Sequence, residues 1–398
     1  MNPLSQRVIN MEESATIAMA QKARDLKSKG VDVISLSMGE PNFKTPDHIQ
    51  QAAKEAIDSQ KYFGYPPVPG YPDFREAIAK KFREENSIEC SAANIVVSTG
   101  AKQSIANIMM SMLDAGDEVI VLSPYWVSYA DVIKVAEGVP VFVKGSIDDN
   151  FKASASQIEA AITDKTKMMI FSSPCNPSGE VFTKEEIEPI VKVLEQHENI
   201  YVVSDEIYEH INFTGSHVSI GSYPSIKDRV ITVNGVAKAF AMTGWRIGYI
   251  CAPEVIAKAC TKIQGQFTSA PNGIAQRAAM AAITTDLAPT KAMAKEYFER
   301  RQMVFDLLNE IPGVKTIMPS GAFYFLPEIS SYFGKSTGKW TINNAGDLCM
   351  YLLEDAHVSL VTGEAFGVPE CVRLSYAASR EELKEAVKRI SEALAKLQ

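Results

Sequence analysis

Lys238 stands in V-N-G-V-A-K-A-F, among Val236, Ala237, Ala239 and Phe240. An ammonium with apolar neighbours is poorly hydrated, which favours the neutral amine and lowers the pKa. A neutral lysine can attack a carbonyl and form a Schiff base. Eight residues on, Arg246 offers a permanent charge and a planar fork suited to a phosphate or a carboxylate. Four more residues stand out at or just past the ends of apolar runs: Trp126 in S-P-Y-W-V-S-Y, Asn176 in C-N-P-S-G, Asp205 closing I-Y-V-V-S-D, and Tyr208 three residues later. Arg373 interrupts the apolar alternation of C-V-R-L-S-Y, and a buried guanidinium needs an anion. Each has an ordinary use as well: a turn-capping Asp, an Asn opening a proline turn, a core Trp, an Arg paired within the protein.

The elements that must hold these residues alternate. Apolar strands are expected at the start of N-I-V-V-S-T-G-A-K and at 118–123, 140–144, 167–173, 200–205, 229–234 and 248–252, separated by helical patterns. Continuous apolar strands of this kind build a buried, mostly parallel sheet flanked by helices, an α/β fold. Chemistry in such sheets collects beyond the carboxyl ends of the strands, and Trp126, Asn176, Asp205 and Lys238 each follow one. After the first strand, Gly100, Ala101 and Lys102 open a helix whose unpaired N–H groups suit an anion. Neither dinucleotide nor Walker glycine spacing is present there. Residues 1–13 read as an irregular arm, Ser14 as the N-cap of a helix ending near Gly30, 31–37 as a strand, and M-G-E-P-N-F as a turn in which Gly39 permits close approach. Y-F-G-Y-P-P-V-P-G-Y, at 62–71, is a stiff aromatic loop. The final third mixes short strands with helices and closes on an amphipathic helix, 381–397, which suggests a second, smaller α/β domain. The expected division is 1–46 as arm and part of the small domain, 47–285 as the large domain, and 286–398 as the small one.

A formal net charge of −8 with no basic run argues against a nucleic-acid surface. Six scattered cysteines without C-x-x-C, and five histidines not spaced with them, suggest neither a metal site nor a disulfide framework. No run reaches membrane-span length and the N-terminus lacks a signal-peptide core, so a cytoplasmic protein is expected.

The string A-K-A-F-A-M-T-G-W-R-I-G-Y, with D-E-I-Y, N-P-S-G and R-L-S-Y-A in order around it, resembles the class I aminotransferases, fold-type I pyridoxal-phosphate enzymes, and within them the prokaryotic aspartate aminotransferase branch. The resemblance covers nearly the whole chain. It implies a fold with a seven-stranded sheet and pyridoxal 5′-phosphate held by Lys238. Asp205 would lie beneath the pyridine nitrogen, Asn176 and Tyr208 on the phenolic oxygen, and Trp126 against the ring. Gly100, Ala101, Lys102 and Arg246 would surround the phosphate, and Arg373 would hold the substrate's α-carboxylate near Gly39, Trp126 and Asn176. A homodimer is implied in which Tyr65 reaches the other subunit's phosphate, with Tyr62 nearby as the alternative.

Two positions depart from the pattern: Gly235 and Ala237 stand where many members carry hydroxyl residues, so phosphate binding rests more on the helix start, Arg246 and Tyr65. The reaction implied is transamination from aspartate to 2-oxoglutarate through a Lys238 Schiff base, in two half-reactions. Lys102, Ser14 and Thr16 are candidates for the second carboxylate, while Lys102 also suits the phosphate and Ser14 also suits a helix cap. An aromatic-amino-acid or prephenate aminotransferase is the alternative, followed by a Cβ lyase on the same fold.

Overall fold

The computed structural model describes residues 3–9, 11 and 13–398. Seven strands form one sheet: β1 (Ile95–Ser98), β2 (Glu118–Ser123), β3 (Val139–Lys144), β4 (Thr166–Ser172), β5 (Tyr201–Asp205), β6 (Val230–Gly235) and β7 (Gly248–Cys251). Their order is β1-β7-β6-β5-β4-β2-β3. Neighbours pair in parallel except β7, which runs against both β1 and β6. The strands lie within one residue or so of their expected bounds. Their apolar residues are buried on both faces, Val119, Val121, Met168, Ile170 and Ile231 against one helical layer and Met169, Phe171 and Val202 against the other.

Small residues set the layer on which the site is built. Gly235 faces Gly248 across the β6–β7 ladder. A Cβ on Gly248 would stand 2.2 Å from the Ala101 amide nitrogen, so its absence lets β7 press against the start of the helix Ala101–Met112. That contact fixes where the helix N-terminus points.

The remaining elements gather around a second core. Ile34–Ser35 pairs in parallel with Val358–Ser359, and Val361–Thr362, Val372–Ser375 and Tyr324–Phe325 form an antiparallel sheet. Helices Ala15–Ser28, Ala288–Asn309, Ala345–Asp355 and Arg380–Leu394 pack on them through Met19, Tyr297, Leu348, Leu352, Leu383 and Ile390. Ile207, Tyr208 and Ile211, just beyond β5, belong to the same cluster. The segment carrying Asp205 and Tyr208 is therefore gripped from both cores.

Two expectations change. The strand expected at 31–37 is only two residues long: the Leu36 N–H still donates to the Ser359 carbonyl, but its own carbonyl accepts from the Ser375 amide, and the pairing with Val358–Ser359 stops there. The arm is not wholly irregular: Gln6–Ile9 makes one helical turn, while residues 1, 2, 10 and 12 lie outside the described residues.

Candidate active site

The carboxyl ends of β2, β4, β5 and β6 open into one cavity of roughly 340 Å³. Of the residues singled out from the sequence, Ser14, Thr16, Gly39, Gly100, Ala101, Lys102, Trp126, Asn176, Asp205, Tyr208, Lys238, Arg246 and Arg373 all line it. Tyr65 does not. It is 97% exposed on the outer surface, and neighbouring Tyr62 packs edge-on against Tyr71, 5.5 Å between centroids, with the Arg277 guanidinium over its ring.

Lys238 follows β6 and donates from Nζ to the Gly39 carbonyl at 2.7 Å. Burial, helped by the positive charges of Arg373 and Arg246, lowers its pKa to about 8. Asp205, 5% exposed, ends β5. Burial raises its carboxyl to about 6, opposed by the Tyr129 hydroxyl, which donates to Oδ2 at 2.7 Å, and by the Ile207 amide, which donates to Oδ1 at 3.3 Å.

Arg373 enters from the strand Val372–Ser375 and is 2% exposed. Nη1 donates to Asn176 Oδ1 at 2.8 Å and Nη2 to the Ser37 carbonyl at 2.6 Å, while Nε has no partner. Both oxygens are neutral, and among the described residues Arg373 pairs with no carboxylate. A guanidinium buried without an anion is costly unless a ligand brings one. Its flat face lies 4.7 Å from the Tyr324 ring centroid. The Tyr324 hydroxyl stands 2.7 Å from that of Tyr208.

At the opposite end, Gly100 adopts φ +84 at the N-cap of the helix Ala101–Met112, with no side chain capping the free N–H groups. A Cβ there would meet Arg246 Nη2 at 2.6 Å, so the glycine lets the guanidinium lie over the helix start. Among the described residues, Arg246 donates to the carbonyls of Thr243 and Thr99, at 3.1 and 3.4 Å. Lys102 holds its ammonium 5.1 Å from the Trp126 ring centroid, and partial burial together with Arg246 lowers its pKa. Ser14 occupies the N-cap position of Ala15–Ser28 but makes no side-chain cap bond, which leaves its hydroxyl to the cavity it lines.

Tyr129 and Tyr324 were not singled out from the sequence. The signal for Tyr129 was its place three residues after Trp126, one helical turn on; Tyr324 lies in S-G-A-F-Y-F, where a phenol reads as packing.

The other face of the β5 exit is closed. Glu206 and Glu209, both buried, point away from the cavity. Glu206 accepts from His217, Asn86, Ser204 and Ser219, and Glu209 from Lys81 and Asn86. Burial would raise the Glu209 carboxyl, but Lys81, with His210 and His217, outweighs it and holds the group well below the usual range.

Residues 31–390 match the family described as aminotransferase class I and II. The chain belongs to that family. Similar proteins include the aspartate/prephenate aminotransferase of Nitrosomonas europaea, 43% identical over 98% of this chain and 99% of the relative. The bifunctional aspartate aminotransferase and glutamate/aspartate-prephenate aminotransferase of Petunia hybrida is also 43% identical, over 98% of this chain and 82% of the relative. Among solved structures, the aspartate aminotransferase of Rhizobium meliloti superposes with TM-score 0.96 at 39% identity over all of both chains. That of Thermus thermophilus with maleate gives 0.93 at 40% identity over 99% of this chain and all of that one. The fold is that of the fold-type I aminotransferases, and this chain is an aminotransferase.

Proposed function

We propose that the chain moves the amino group of aspartate to 2-oxoglutarate in two half-reactions, with pyridoxal 5′-phosphate as its cofactor. One observation carries this reading: a buried lysine whose pKa is lowered to about 8 shares a cavity with Arg373, which pairs with no carboxylate among the described residues. The donor set suits that group, with a glycine-cradled helix start for its phosphate, a buried carboxylate for its ring nitrogen and an amine for its aldehyde. When bound, pyridoxal phosphate supplies the aldehyde that takes up the amino group and a ring that accepts the electrons left as the α-proton departs.

Asp205 sets its charge against the ring nitrogen, and Tyr129 holds the carboxylate in place. Trp126 provides a flat face. Asn176 turns Oδ1 to Arg373, which leaves its amide N–H groups, with the Tyr208 hydroxyl, to donate to the phenolic oxygen. Gly100, Ala101 and Arg246 take the phosphate. Arg373 grips the substrate's α-carboxylate as a fork and so orients Cα, from which Lys238 Nζ would carry the proton as general base. Lys102, Ser14 and Thr16 line the cavity where the second carboxylate of aspartate would reach. Tyr65 serves the other subunit of a homodimer, which its exposure supports. Residues 47–285 form the large domain, and 1–46 with 286–398 the arm and small domain.

The names of the Nitrosomonas and Petunia relatives favour prephenate as a second acceptor. The test is the visible spectrum of the cofactor-loaded protein on adding aspartate alone. Conversion to the pyridoxamine form, reversed by 2-oxoglutarate, supports the reading. A spectrum indifferent to aspartate but changed by an aromatic amino acid removes the aspartate assignment, and pyruvate with ammonia formed without any oxo-acid acceptor would indicate a lyase.

A further inference from the structure

The Tyr208–Tyr324 pair has a direction built into it. Two hydroxyls 2.7 Å apart share one hydrogen bond, so one donates and the other keeps its proton for something else. Tyr324 is fully buried, and Gly39 lies so close over its hydroxyl that a Cβ there would stand 2.0 Å away. Among the described residues, Tyr208 is the hydrogen-bond partner of that hydroxyl. A buried hydroxyl without a bond is costly, so the Tyr324 proton goes to the Tyr208 oxygen. The ring is fixed as well, with Arg373 4.7 Å over one side and the Tyr208 and Phe323 rings packed at 5.8 and 4.9 Å.

We infer that Tyr324 is a positioning residue that donates to Tyr208 and thereby commits the Tyr208 proton to the cavity. A phenol that accepts one hydrogen bond is a stronger donor of its own. Tyr324 therefore orients Tyr208 and strengthens it as a donor, while its ring carries Arg373. The phenolic oxygen of the cofactor and the carboxylate of the substrate are thus tied through one side chain. Gly39 belongs to this device, because it accepts from Lys238 and is the only residue type that fits over the Tyr324 hydroxyl. The inference rests on the cavity being the pyridoxal-phosphate site.

The experiment is a pH titration of the visible absorption of the cofactor-loaded protein without substrate. A donor on the phenolic oxygen favours the more negative form of the chromophore, so it holds the midpoint down. Tyr324→Phe keeps the ring and removes the hydroxyl, and is expected to raise the midpoint by about 0.5 to 1 pH unit. Adding it to Tyr208→Phe is expected to raise it no further. Gly39→Ala, which displaces the hydroxyl without removing it, is expected to shift the midpoint the same way. An unchanged midpoint in Tyr324→Phe, or an equal shift on top of Tyr208→Phe, overturns the inference while leaving the cofactor reading intact. A wild-type protein that shows no titrating band overturns both.

Discussion

The two sides of the segment Asp205–Glu209 handle buried charge in opposite ways. Glu206 and Glu209 face a cluster in which every charge is answered, by Lys81, Asn86, His217 and two serines. Asp205 and Tyr208 face a cavity in which Lys238, Arg373 and Arg246 make no ion pair among the described residues. The closed cluster holds the segment in place; the open one keeps its charges free for a ligand. Substitutions on the two sides should therefore fail differently, one in folding and one in chemistry.

The largest effect is expected at Lys238. Lys238→Ala removes both the covalent anchor and the general base, and transamination should fall about 10⁴-fold or more while the ligand-free melting temperature holds or rises. Steady-state rates alongside melting curves check both halves. The next pair cuts across the comparison directly. Arg373→Met should lower kcat/KM for aspartate by roughly 100-fold or more, since it removes a buried charge-assisted pairing with substrate, yet leave stability nearly unchanged. Lys81→Met strands the Glu209 carboxylate and should cost about 3–5 kcal/mol in denaturant unfolding. If Arg373→Met unfolds the protein and Lys81→Met does not, the division between the two sides is wrong.

A pH experiment sharpens the same contrast. An ordinary lysine keeps its proton to about 10.5, whereas Lys238 gives it up near 8. The unfolded chain binds more protons in that window, so the burial penalty is fully present below pH 8 and fades as pH rises toward 10.5. The melting advantage of a ligand-free Lys238→Met variant over wild type should shrink across that range, and cofactor capture by wild type should quicken through pH 8. Glu209 behaves in the opposite sense. Its depressed pKa gives stability that is present above the ordinary 4.5 and lost as pH falls below it. The smallest effect belongs to Lys102→Ala, expected to raise KM for aspartate about tenfold with no change for a monocarboxylic donor.

Much of the open side could be read from the sequence, because it breaks the local pattern: Lys238 and Arg373 interrupt apolar runs, and Asp205 closes an apolar strand. The closed side could not. Glu206 and Glu209 carry no local mark of burial, and Asn86, which satisfies both, lies 120 residues from Glu206 in the chain. Tyr129 and Tyr324 were missed for a related reason. A phenol in an apolar run fits packing as well as catalysis, and only tertiary register places its hydroxyl against Asp205 or Tyr208. The two-residue length of the strand at Ile34–Ser35 was set by its partner, which periodicity does not encode.

The central claim is that Lys238 is the residue on which this cavity's chemistry is centred. Borohydride reduction of the pyridoxal-phosphate-loaded protein, followed by peptide mass mapping, tests it most directly. The account predicts a single stable adduct on the peptide containing Lys238, lost in Lys238→Ala. An adduct on Lys102 or any other lysine, or none at all, would contradict it.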